Sequence, residues 1–105
     1  MSTDHQWVSV DFEKAELHNS GSHGARVLTV TGNTPSSSVR GCPIKLVPAT
    51  YSSQPEYWRV EVLWDRADAI FQSICPFEAS VPIDDIRGTK GIEVVGKTRV
   101  ERLPM

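Results

Sequence analysis

Eight residues near the middle of the chain, Tyr57-Trp58-Arg59-Val60-Glu61-Val62-Leu63-Trp64, alternate without a break. In an extended conformation Trp58, Val60, Val62 and Trp64 share one side, and Tyr57, Arg59, Glu61 and Leu63 share the other. A helix would scatter the same residues around its circumference. The stretch therefore reads as a strand with one buried face. A buried face demands a second layer to cover it. Each large apolar side chain so covered contributes about 1.5–3 kcal/mol.

The rest of the chain supports the same architecture. Val, Ile and Thr together number 25, against 11 for Ala and Leu. Branched side chains lose rotamer freedom in a helix and pack well on a pleated surface. Alternation marks further strands at Trp7–Phe12, with an extension towards Leu17 left open, and at 25–31, 77–83, 92–95 and 99–103. A strand over 43–51 carries Pro43 and Pro48, so it belongs at a sheet edge. His18 to Gly24 reads as a loop. Gly96-Lys97-Thr98 suits a three-residue hairpin loop that sets Val94 opposite Val100.

These strands predict an all-β, single-domain antiparallel β-sandwich of about seven strands over residues 1–105, with a small β-barrel as the runner-up. Residues 65–74 offer one alternative. Ala67, Ile70, Phe71 and Ile74 fall on one helical face and Asp65 is placed to cap it. A loop leading into a strand is the preferred reading there.

The charge balance narrows the function. Eleven basic and thirteen acidic residues leave a net charge of −2, which makes nucleic acid an unlikely partner. The longest apolar runs are about three residues, too short to span a membrane. The N-terminal residues lack a basic and apolar leader, so a cytoplasmic protein is expected. Charge is also uneven. Residues 54–85 hold seven acidic and two basic side chains, and residues 86–105 hold five basic and two acidic. Cross-strand pairing accounts for this more simply than a dipolar docking surface.

Chemical constellations are weak. Cys42 and Cys75 are expected as two free, mostly buried thiols. Each precedes proline, as in short haem-regulatory motifs, but a three-residue motif carries little weight. His5, His18 and His23 sit in polar surroundings and read as exposed loop residues. The Ser20–Gly24 loop precedes a strand, so it lacks the helix start that a phosphate cradle needs. The carboxylate pairs Asp65 with Asp68 and Asp84 with Asp85 read as caps and turns. No catalytic, cofactor-binding or metal-binding residue is assigned, and no cofactor is expected.

The remaining candidate is the outward face of the central strand. Tyr57, Arg59 and Glu61, joined by Tyr51 from the preceding strand, form the candidate interaction surface. The leading expectation is a small non-catalytic β domain that binds a protein partner or a second copy of itself. The alternative is a small-ligand-binding protein or minor enzyme, with a pocket lined by Trp58 and Trp64.

Overall fold

A computed structural model of the chain describes residues 6–20, 25–35, 43–66, 72–86 and 88–104. Among them lie eight strands: β1 (Trp7–Ser9), β2 (Lys14–Ser20), β3 (Ala25–Thr34), β4 (Ile44–Pro48), β5 (Tyr57–Asp65), β6 (Cys75–Pro82), β7 (Gly91–Val95) and β8 (Val100–Pro104). They form two sheets that share one hydrophobic core, and no described residue is helical. Asp65 closes β5 and residues 72–74 are irregular; the middle of the 65–74 alternative lies outside the described residues.

β5 organises the larger sheet. β4 pairs along one of its edges, from Ile44 opposite Trp64 to Pro48 opposite Val60. Two strands share its other edge. β1 runs antiparallel against Leu63–Asp65, and β7 runs parallel against Tyr57–Glu61. β8 then pairs antiparallel with β7. The sheet is therefore mixed, where a purely antiparallel one was expected. The smaller sheet is antiparallel throughout, in the order β2-β3-β6. Where the sheets meet at their margins, β4 lies against β6 and β2 against β8.

The alternation in β5 lands as its pattern demands. Val60 and Val62 are fully buried and Trp64 nearly so. They meet Ile92 and Val94 of β7 and, across the gap, Leu28 and Val30 of β3 and Phe77 of β6. Trp58 departs from the expectation of full burial. It is half-buried at the strand's start, donates its indole N–H to the Ala49 carbonyl at 2.9 Å, and carries Tyr51 edge-on.

Eight strands replace seven because the first stretch divides. Val10 donates its amide to Val62 of the larger sheet, and Glu13 donates to Thr31 of the smaller. The chain crosses between layers within those few residues. Val10 and Phe12 remain buried on the way, so hydrophobic alternation continues through the crossing and conceals it. β2 then continues to Ser20, into what was expected to be loop.

Two further expectations are corrected. Val95, not Val94, stands opposite Val100. The β7–β8 connection thus holds four residues, closed by the Gly96 amide on the Arg99 carbonyl at 2.8 Å. Cys75 is disulfide-bonded, not a free thiol. Ile44 pairs with Trp64, and Trp64 lines one cleft with Ile74, so the starts of β4 and β6 meet at the same end of the sandwich. Sequence spacing does not reveal that meeting. The chain's other cysteine, Cys42, lies outside the described residues.

Candidate functional site

The two outer faces of the sandwich differ in chemistry. On the smaller sheet the outward side chains include Lys14, Glu16 and His18 of β2, Val27, Thr29, Thr31 and Asn33 of β3, and Pro76, Glu78, Ser80 and Pro82 of β6. Their registers place them side by side. They satisfy one another. His18 Nε2 and Thr29 Oγ1 lie 2.6 Å apart, Thr29 and Ser80 share a hydrogen bond of 2.9 Å, Lys14 pairs with Glu16, and Asn33 donates to Glu13 at 2.9 Å. This is the polar outer face that a half-solvated sheet ordinarily has.

The larger sheet presents something else. Its outward positions include Trp7 and Ser9 of β1, Lys45 and Val47 of β4, Tyr57, Arg59, Glu61 and Leu63 of β5, Glu93 and Val95 of β7, and Val100 and Arg102 of β8. Six of these twelve are large apolar or aromatic side chains; Val100 is 57% exposed, whereas Val95 is buried. Charges run between them as a ladder. Arg102 Nε reaches Glu93 at 3.3 Å, and Arg59 lies 3.9 Å from Glu61. Arg59 and Glu93 are opposite each other on neighbouring strands. Cations also cover aromatic rings: the Arg102 guanidinium lies 4.9 Å from the Tyr57 ring centroid, and Lys45 Nζ lies 4.1 Å from that of Trp7.

The structure thus places Tyr57, Arg59 and Glu61 in one outward row. Tyr51 does not extend that row. It stands beyond the end of β4, with its ring centroid 5.0 Å from that of Trp58 and its hydroxyl accepting the Arg59 amide at 3.3 Å. The phenol continues the ladder past the point where β4 ends at Pro48. Trp7, Lys45, Glu93, Val100 and Arg102 also belong to the face and escaped the sequence reading. Their own alternation assigns each to a side of its strand, but only strand order brings them beside Tyr57.

A second concave feature opens at the end of the sandwich near Trp64. It is a cleft of about 730 Å³. Val8, Val10, Trp64 and Ile74 supply its apolar lining, and Arg66, Lys97, Asp11 and Asn33 its polar lining. The ligand-binding alternative expected Trp58 and Trp64 to line one pocket, and the structure brings only Trp64 to this cleft. Trp58 lines a separate, smaller groove of about 310 Å³ at another site, beside Asp84 and Asp85.

One wall of the larger cleft is held by a polar cluster. Asp11 accepts hydrogen bonds from the Thr98 amide (2.6 Å), the Thr98 hydroxyl and the Arg99 amide (3.1 Å). These donors hold its carboxyl below the ordinary range, the Thr98 hydroxyl most strongly, against a small opposing effect of burial. The Arg99 guanidinium lies 4.8 Å from the Phe12 ring centroid and donates to the carbonyls of Phe12 and Glu13. Its other arm meets Glu101 at 3.2 Å.

Other sequence candidates fall in structural roles. Asp65 is buried and accepts the Gln6 amide at 2.9 Å. His5, His23 and Asp68 lie outside the described residues. Among the described residues no three His, Cys, Asp or Glu side chains gather as a metal site. No described helix is long and apolar enough to cross a membrane. Comparison with known proteins finds no family model, no curated relative and no solved structure that matches this chain.

Proposed function

We propose that the chain is a non-catalytic β-sandwich module that associates through the outer face of its five-stranded sheet, and that its partner is a second copy of the same chain. The observation that carries this reading is the contrast between the two outer faces. One is polar and internally satisfied; the other alternates apolar and aromatic side chains with paired charges. Tyr, Trp and Arg are the residue types that anchor interfaces. Arginine and glutamate alternate across the face, so a two-fold axis between an arginine and a glutamate would set opposite charges against each other, as an isologous interface needs. The disulfide at Cys75 argues for work in an oxidising compartment rather than the cytoplasm that the N-terminal residues suggested.

The test is sedimentation velocity across a hundredfold range of protein concentration. The expected result is a monomer–dimer equilibrium. Tyr57→Ala with Arg59→Ala should weaken it on the order of tenfold or more while leaving the melting temperature within a few degrees. A wild-type chain that stays monomeric throughout, or a dimer indifferent to both substitutions, removes the basis of the proposal.

A further inference from the structure

The cleft near Trp64 is independent of the sheet face, and its lining has a definite chemistry. Its volume, about 730 Å³, falls within the ordinary range for small-molecule sites, roughly 300–1,000 Å³. Val8, Val10 and Trp64 come from the paired β1 and β5 strands and the start of the crossing, so this wall is held by backbone pairing. Ile74, 71% exposed, completes the apolar lining from the other side.

The polar lining is biased to one sign. Arg66 and Lys97 are both exposed, and among the described residues neither makes an ion pair. Arg66 donates Nε to the neutral Gln6 side chain at 3.3 Å. Among the described residues Asp11 is the single lining carboxylate, and the Thr98 and Arg99 donors already occupy its oxygens. Asn33 is likewise engaged, donating to Glu13. The lining charges without an ion pair among the described residues are therefore cationic, set beside an indole and three aliphatic side chains.

We infer that this cleft binds a small amphipathic carboxylate, with its apolar body against Trp64, Val10 and Ile74 and its anionic head towards Arg66 and Lys97. Arg66 offers a planar fork suited to a carboxylate, and Lys97 a mobile point charge.

The probe is 1-naphthaleneacetate, with the neutral 1-naphthaleneacetamide as its isostere, each titrated into the full chain by calorimetry and by amide and indole NMR. The acid should bind on the order of tenfold tighter than the amide, and shifts should centre on the Trp64 indole and the Arg66 and Lys97 amides. Arg66→Gln with Lys97→Gln should erase the preference while leaving amide binding and the melting temperature in place. Ile74→Ser, at an exposed position, should weaken both ligands. Equal affinity for acid and amide overturns the inference, as do shifts centred elsewhere, absence of binding, or a preference that survives the double substitution.

Discussion

Asp11 shows how much one partly exposed carboxylate organises. It binds no ligand group, yet it ties the crossing between sheets to the β7–β8 hairpin through three donors. Asp11→Ala should cost about 1–2 kcal/mol in urea unfolding at neutral pH, the scale of charge-assisted hydrogen bonds discounted for exposure. Folding lowers the carboxyl's pKa. Its contribution is therefore complete above the unfolded value, about 3.9, and is lost as pH falls through the folded value. The stability gap between wild type and Asp11→Ala should accordingly be constant above about pH 5 and close below about pH 4. A gap that instead widened with acid would contradict this placement. Gly96 belongs to the same cluster. A Cβ there would meet Asp11 Oδ1 at 2.9 Å and the Val10 carbonyl at 3.0 Å. Gly96→Ala should thus destabilise by about 1–3 kcal/mol, read from the shift in the urea midpoint.

At the scale of elements, the hairpin shows where local pattern loses to distant contact. Apolar matching sets Val94 against Val100 and predicts three loop residues. The observed register shifts by one, and a one-residue shift exchanges every side chain between faces. Arg99 and Glu101 turn inward and Val100 turns outward. The cause is the Asp11 cluster: the Arg99 amide serves Asp11 and its guanidinium serves two backbone carbonyls of the crossing. Those partners are more than eighty residues away in sequence, so no window around the hairpin contains the information. β5 is the opposite case. Its burial is decided by its own alternation, and Tyr57, Arg59 and Glu61 were legible as one outward row for that reason. The rest of the face depends on strand order, and the cleft joins residues from five separate stretches, which periodicity cannot associate. The start of β7 is equally non-local. Gly91 has φ +155°, and a Cβ there would collide with the Leu103 carbonyl of β8. Gly91→Ala should lower stability by about 2 kcal/mol or more, measured by chemical denaturation, because both the backbone conformation and the β8 pairing oppose it.

The whole molecule adds a covalent constraint that the cysteine spacing did not disclose. A disulfide at Cys75 restricts the unfolded chain, so reduction should destabilise by about 2–4 kcal/mol. Calorimetry with and without reductant measures it; an unchanged melting temperature would mean that the bridge adds nothing. The sheet margins show a different kind of control. β4 ends at Pro48, β6 contains Pro76 and Pro82, and β8 points Glu101 inward beside Arg99. Prolines and inward charges are features that discourage edge-to-edge pairing, in keeping with the proposal that association uses the outer face.

The parallel pairing of β7 with β5 has a consequence for how the chain reaches this state. β2–β3, β4–β5 and β7–β8 join neighbours in sequence and close early, whereas a parallel pair waits on a long connection. During synthesis from the N-terminus, Tyr57–Glu61 is complete while the strand that covers its second edge has yet to emerge. For that interval the best strand in the protein shows bare amides and carbonyls between two tryptophans. A nascent chain halted before Gly91 is therefore the form most exposed to misassociation, and the last fifteen residues act as the closure that ends the risk.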